Sequence, residues 1–393
     1  MNSSRSTRSF LLQHAKPSRI NTFTTVVVLG GIIIAFLFAY AAFGKDPEGR
    51  TTLSHVSIIF RHGEKNPTSS YANDPYKESL FWPEGWGQLT NRGKRQMYQV
   101  GEWLRRRYGN ALPRYSPQTV RVDSSDHDRC HQSAAVLLAA LFPPSADQVW
   151  NDQLLWQPIP IHSSPLSMDK LITVKAKCPL YDREKHKSDS ELSAKYDKQN
   201  SELYKYLTDK AGQNISSLLD VESLFNILEI EKETGKQLPE WTESVYPDKM
   251  KDIAALVLAS FTHTPLMKRI KGGPLIGAVA GNMNAVFNGT SKRKVSLYAA
   301  HDLTIVSVRR ALGFNDIAFK PGLGAALIVE LEVVNNVPLV EVHYAQSYAD
   351  TDLERWELPG CPSPCSLSAF TEAMSSVIPQ DWDSECNLDQ ASS

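Results

Sequence analysis

What this sequence lacks bounds it before anything in it is read. It has no excess of one charge: 42 Lys and Arg stand against 43 Asp and Glu, a net charge of -1. A general nucleic-acid binder carries a basic surplus, so that class is excluded and no nucleic-acid partner is expected. Cysteine is scarce, with five in 393 residues. A chain this long buries a core without a dense disulfide framework. No close second Cys or His pair accompanies Cys361-Pro-Ser-Pro-Cys365, which makes a zinc site a poor reading, and no metal is expected. No internal repeat is visible.

Charge is also missing from Phe23 to Gly44, where Val26–Leu29 and Ile32–Phe38 form apolar runs. About 20 apolar residues suffice for a helix to cross a bilayer. Arg5, Arg8, Lys16 and Arg19 precede the run without an acidic neighbour. Basic flanks stay cytosolic, which sends the bulk of the chain to the lumen or the cell exterior. The expected organisation is a basic tail (1–22), a transmembrane signal anchor (23–44), a polar linker (45–52), one large domain (53–387) and a short tail (388–393). The competing reading is a signal peptide cut after Ala39-Tyr40-Ala41, which would leave a secreted protein. In an oxidising compartment the cysteines tend to pair, and five leaves one over. Asn214-Ile-Ser216 and Asn288-Gly-Thr290 are glycosylation acceptors there.

In the domain, Leu53–Phe60 reads as a strand that stops at Arg61-His62-Gly63. Residues 64–88 read as a loop, in which Tyr76, Trp82 and Trp86 either gate a substrate or pack the loop down. A helix with Thr90 as N-cap runs to Tyr108, and its Arg105-Arg106-Arg107 reads as a solvated face. Further strands are expected at Thr119–Val122, Leu154–Ile161 and Val295–Ala300. Helices are expected at Ser125–Leu141, Asp252–Met267, Leu275–Phe287 and Leu303–Leu312. Leu327–Val334 and Val337–Tyr344 read as a hairpin turning at Asn335-Asn336. Residues 164–248 read as a mainly helical cap inserted into an α/β core. In such a core, ligands bind beyond the carboxyl ends of the strands. That rule singles out Arg61-His62 and His301-Asp302.

Those residue types suit a phosphate monoester. Guanidinium forks bind phosphate oxygens in pairs, a neutral imidazole attacks phosphorus, and a carboxylic acid protonates the departing alkoxide. Asp126-His127-Asp128-Arg129 opens a helix after another strand and can add a third cation. The run Val56–Pro67, with Arg61-His62-Gly63-Glu64-Lys65-Asn66-Pro67, closely resembles the signature of the histidine acid phosphatases. Gly87-Gln-Leu-Thr90, Ser125-Asp-His-Asp-Arg129, Trp156-Gln-Pro-Ile-Pro160 and Ala300-His-Asp-Leu-Thr304 match in the same order, and Pro379-Gln-Asp-Trp382 with Cys386 resembles the prostatic and lysosomal branch.

The resemblance implies a phosphoglycerate-mutase-like sheet flanked by helices. It implies His62 as nucleophile and Asp302 as proton donor, with Arg61, Arg129 and His301 on the phosphate. It also implies bridges Cys178–Cys386 and Cys361–Cys365, with Cys130 left as the odd thiol, which reads either as a small buried residue or as half of an intermolecular bridge. No cofactor is implied, and a homodimer is allowed. Lys65 departs from the pattern, which has a second arginine there: the charge is kept and the bidentate fork lost. His127 either lines the entrance or serves as ordinary helix-terminal polar chemistry. The expected activity is acid phosphomonoester hydrolysis at a lumenal, lysosomal or cell-surface site. A lipid or inositol phosphate phosphatase and a surface binding protein without turnover are the alternatives.

Overall fold

The computed structural model describes residues 51–112 and 114–387. The tail at 1–22, the anchor at 23–44 and nearly all of the linker lie outside the described residues, as do 388–393. Among the described residues no helix is long and apolar enough to cross a membrane.

Six strands form one sheet: β1 (Thr51–Arg61), β2 (Val120–Ser124), β3 (Val295–Ala300), β4 (Ala326–Val334), β5 (Val337–Ala345) and β6 (Glu354–Trp356), in the order β2-β3-β1-β4-β5-β6. β3 runs parallel to both β1 and β2, while β4, β5 and β6 add antiparallel strands. β1 is a near-continuous apolar run because both of its faces are covered. Ile58 and Phe60 pack with Met97, Val100 and Leu104 of α1 (Asn91–Tyr108) and Ala134, Leu137 and Leu141 of α2 (Asp128–Leu141). Ile59 points the other way, into a cluster with Leu275, Val279 and Met283 from the later helices. Asn335 and Asn336 both have positive φ (52° and 66°), the left-handed pair that a tight two-residue hairpin requires.

Helices α3 (Pro179–Ala211), α4 (Leu218–Glu233) and α5 (Lys251–Ser260) stand together. Tyr204 and Leu207 of α3, Leu224, Phe225 and Leu228 of α4 and Ile253 of α5 share a core of their own. Tyr71, from the loop after β1, is buried in the same core and ties that loop to the helices. Ser217 caps α4 in a reciprocal capping box with Asp220.

Two sequence expectations fail. Leu154–Ile161 is not a strand. Pro158 and Pro160 have no N–H to give a ladder, and pairing is confined to a bridge between Asp123 and His162. The helix expected over Asp252–Met267 is two: α5, then α6 (Pro265–Lys271), which starts at Pro265 with Thr264 as its cap. Proline at the first helical position has a ready φ, and it disfavours helix in the residue before it. Beyond them lie α7 (Gly273–Phe287), α8 (Asp302–Ala311), α9 (Leu367–Met374) and α10 (Trp382–Glu385).

Glu231 of α4 is fully buried, with the Asp74 carboxylate beside it. Burial, together with the charge of Asp74, pushes this carboxyl up to about 8. Unfolded, it titrates near 4.3. The folded protein therefore holds a proton between those values that the unfolded chain releases. Stability should fall as pH rises through that window, by up to about 1.4 kcal/mol per pH unit. A Glu231→Gln variant should melt near the parent at pH 5 and above it at pH 8. Parallel melting curves across the range would refute the buried proton.

Candidate active site

Three strand ends meet at one rim. Arg61 closes β1 opposite Ala300, the last residue of β3, and Ser124 at the end of β2 sits opposite Ala299. The chain leaves β1 with the His62 N–H on the Ala300 carbonyl at 3.2 Å and leaves β2 with the Ser125 N–H on that of Ala299 at 3.0 Å. His127 and His301 are the N-caps of α2 and α8. Arg129 and Asp302 thus stand in the first turns of helices that open onto the rim.

A cavity of about 290 Å³ there is lined by Arg61, His62, Lys65, Arg129, His301 and Asp302. All six site residues named from the sequence therefore share one cavity wall. Two are deeply placed, His62 at 3% exposed and Arg61 at 8%, and the other four are half-buried. The Nδ1 of His62 lies 2.8 Å from the Gly63 carbonyl. A carbonyl only accepts, so Nδ1 carries the proton and Nε2 keeps its lone pair. Burial and the charges of Arg129 and Arg61 hold this imidazole well below its ordinary value, so it is neutral. A neutral ring with a free Nε2 is the nucleophilic form.

Asp302 is held by Arg61 (3.1 Å) and accepts the N–H of Leu303 at 2.8 Å. Burial opposes its ionisation, but the charges of Arg61 and Lys320 outweigh that and keep its carboxyl well below the usual carboxylate range. Arg61 also donates to the Pro321 carbonyl at 2.7 Å, which fixes its guanidinium. The Nε atoms of Arg61 and Arg129 are buried without partners, leaving donors for an anion. Burial, with Arg129 beside it, takes His301 down to about 3.

The loop carrying these groups is held by residues whose role the sequence reading did not see. Thr90 was expected as the cap of α1 and is one, accepting from the Gly93 N–H at 2.9 Å. It also donates to the Glu64 carboxylate at 2.8 Å, while Arg92 pairs with the other Glu64 oxygen at 2.9 Å and Gln96 accepts the Glu64 N–H at 2.8 Å. Gly63 and Gly93 touch backbone to backbone: a Cβ on Gly93 would lie 2.1 Å from the Glu64 carbonyl oxygen. Only glycine permits that approach. Thr90 and the first turns of α1 are thus the clamp on the segment that follows Arg61-His62.

Tyr76, Trp82 and Trp86 take no part in lining the cavity. Trp82 is buried, its indole N–H bonds to the Tyr76 carbonyl, and Lys236 stands over the Tyr76 and Trp82 rings. They pack the loop. Arg105, Arg106 and Arg107 are exposed, yet Arg107 reaches the buried Glu330 at 3.0 Å, so that face is not merely solvated. The disulfides Cys178–Cys386 and Cys361–Cys365 are formed, and Cys130 is a buried free thiol. Asn214 and Asn288 are exposed. Glu330, Glu341 and His343 bring three ligand atoms within 4.8 Å of one another on β4 and β5. Arg107 and Tyr108 already occupy Glu330.

Residues 52–357 match the family described as histidine phosphatase superfamily (branch 2). The chain is 36% identical over 353 residues to the prostatic acid phosphatase of Rattus norvegicus, covering 87% of this chain and 91% of that one. It is 31% identical over 366 residues to the lysosomal acid phosphatase of the same organism, covering 91% and 85%. Among solved structures, a Hafnia alvei phytase superposes with a TM-score of 0.65 at 20% identity, covering 86% of this chain and 98% of that one, a likeness of fold. The chain belongs to the histidine phosphatase superfamily, branch 2.

Lys65 lies in the cavity with its ammonium on the Asn66 carbonyl at 3.2 Å. Burial and the charges of Arg129 and Arg61 pull it down to about 7. A group so lowered is charged below pH 7 and neutral above it. Inhibition by sulfate, whose own charge is constant, should therefore weaken as pH rises through 7. A Lys65→Arg variant should keep its affinity and bind about 3- to 10-fold tighter throughout, the scale of a gained charge-assisted hydrogen bond. Equal sulfate affinity in both proteins at every pH would show that the missing fork is immaterial.

Proposed function

We propose that this chain is an acid phosphatase that hydrolyses phosphate monoesters through a phosphohistidine on His62. The observation that carries the reading is the single cavity uniting a neutral His62, an Asp302 carboxyl, the cationic groups of Arg61, Lys65 and Arg129, and the His301 imidazole. In this reading Arg61 and Arg129 turn their forks to the phosphate oxygens, and His62 Nε2 attacks phosphorus as the ester oxygen departs. Asp302 gives that oxygen its proton and later helps activate the water that frees phosphate. The Arg61–Asp302 ion pair keeps the acid ionised in the empty site. A phosphate dianion draws Arg61 to itself and adds negative charge, and both changes raise the affinity of Asp302 for a proton. Acidic solution works in the same direction. The cations already present balance the phosphate charge, so no cofactor enters the scheme.

Trapping with a radioactive monoester should leave acid-labile label on the parent and none on His62→Ala, which should lose activity by at least about 10³-fold, as loss of a nucleophile does. Asp302→Asn should lose about 10²-fold or more on an alkyl phosphate, within the range for a lost general acid. Its loss on p-nitrophenyl phosphate, whose leaving group needs no proton, should be much smaller. Equal losses on both esters would remove Asp302 from the acid role.

Among substrates, small monoesters fit better than inositol polyphosphates. Glu222, Glu229 and Glu233 of α4 line the same cavity. Lys320 pairs with Glu229, while burial pushes Glu222 up to about 7 and raises Glu233, so this wall gains its charge as pH rises toward and past neutrality. An acidic wall repels a leaving group that carries further phosphates. Above pH 7, where Glu222 is ionised, inositol hexakisphosphate should accordingly have a kcat/KM at least about tenfold below p-nitrophenyl phosphate, the scale of one unfavourable charge contact, and the gap should narrow in acid. The reverse order would select the inositol phosphate reading.

The placement we infer is lumenal or extracellular, with residues 23–44 as anchor. Two formed disulfides and the exposed acceptors Asn214 and Asn288 support an oxidising, glycosylating compartment.

A further inference from the structure

His127 was left unassigned by the sequence, and the geometry gives it a place. Ser125, fully buried, holds two histidines with one hydroxyl: its Oγ lies 2.8 Å from Nε2 of His301 and 2.8 Å from Nδ1 of His127. The two imidazoles also meet edge to face, with centroids 4.8 Å apart. On the far side of the His301 ring, Nδ1 faces Nη2 of Arg129 at 3.3 Å.

These contacts fix the protons. Arginine only donates, so His301 Nδ1 is the bare, accepting nitrogen and Nε2 carries the proton. Nε2–H then donates to Ser125, and the Ser125 hydroxyl donates to His127 Nδ1. The His127 proton is left on Nε2. That arrangement suits the empty site and not the filled one. When Arg129 turns to phosphate, His301 would confront a phosphate oxygen with a lone pair.

We propose that Ser125 and His127 are positioning residues that set which nitrogen of His301 carries the proton, switching His301 from an acceptor toward Arg129 to a donor toward bound phosphate. The proposal rests on the phosphatase reading of the cavity. The proton of a monoanionic phosphate passes to His301 Nδ1. The proton on His301 Nε2 passes to Ser125 Oγ, the former Ser125 proton to His127 Nδ1, and the His127 Nε2 proton to water. One proton enters, one leaves, and both rings stay neutral. Ser125 now donates to His301 Nε2, and His301 Nδ1–H donates to phosphate. The charged groups that face His301 are Arg129, Asp302 and Arg61; those that face His127 are Arg129, Asp126, Lys175 and Asp128. Burial comes first for both rings and lowers both, which keeps the chain neutral and able to reverse. Cys130 fills the remaining side, its sulfur 3.6 Å from His301 Nε2 and its thiol directed to the Ala300 carbonyl.

The test uses the full-length chain labelled with 15N-histidine. Histidine tautomers are read by NMR, and inorganic phosphate is assayed as a competitive inhibitor of p-nitrophenyl phosphate hydrolysis. His301 should be Nε2–H in the free protein and Nδ1–H with saturating phosphate. Ser125→Ala should raise the phosphate Ki about tenfold, the scale of one lost hydrogen bond to a charged group, and Ser125→Thr, which keeps the hydroxyl, should restore it. His127→Phe keeps a packed ring at a half-exposed position and should abolish the tautomer change on adding phosphate. Three results would each overturn the proposal: Nδ1–H in the free protein, an unchanged Ki in Ser125→Ala, or an undiminished tautomer change in His127→Phe. A parent protein that neither binds phosphate nor hydrolyses the ester would instead remove the phosphatase reading on which the proposal stands.

Discussion

Parallel pairing of β3 with both β1 and β2 is the constraint on which everything else rests. Parallel strands end at the same edge, so three chain segments far apart in sequence deliver their next residues side by side. Arg61-His62, Ser125 to Arg129 and His301-Asp302 are neighbours for that reason. Two of these ends turn at once into helices, and a helix N-terminus favours an anion. The antiparallel strands β4, β5 and β6 extend the sheet without adding to the rim. They cover the flank of β1, and the loop ahead of β4 brings the Pro321 carbonyl to Arg61.

That gathering concentrates positive charge in a place with little water. Arg61, Lys65 and Arg129 together would repel one another, and the consequences are visible in their neighbours. Lys65 is pulled down to about 7, His301 to about 3, and His62 is kept neutral. Asp302 goes the other way and is held ionised against Arg61. The cavity wall thus gathers three cationic side chains, a lining that favours an anion. Across the cavity stand Glu222, Glu229 and Glu233 of α4, the first pushed up by burial to about 7.

The scaffold around the nucleophile has the same economy. Glu64 lies within the motif that carries His62, but its carboxylate faces away from the chemistry, toward Thr90 and Arg92. Gly63 and Gly93 let the two segments touch. A turn held on both sides does not need a ligand to find its shape, which is what preorganised catalysis demands.

Much of this was legible in the chain. Period-two and continuous apolar runs located β1, β3, β4 and β5, because burial on one or both faces leaves that pattern directly. The hairpin at Asn335-Asn336 was legible because two left-handed residues tolerate few side chains. Arg61, His62, Arg129, His301 and Asp302 were legible through motif order. Leu154–Ile161 misled: Leu154, Leu155 and Trp156 are exposed apolar residues that pack in no core, and Pro158 and Pro160 forbid pairing. The break before Pro265 was overlooked because apolar periodicity continues across it.

Local pattern and residue chemistry, then, were enough for the class of fold and for the residues that share the rim. Tertiary structure alone decided which partner each part faces. Nothing in the sequence says that Arg61 holds Asp302, that Glu222 and Glu233 look into the cavity, or that one serine hydroxyl joins His127 to His301. Those are contacts between segments brought together by the sheet, and their strength depends on distance and burial, which a linear string does not carry.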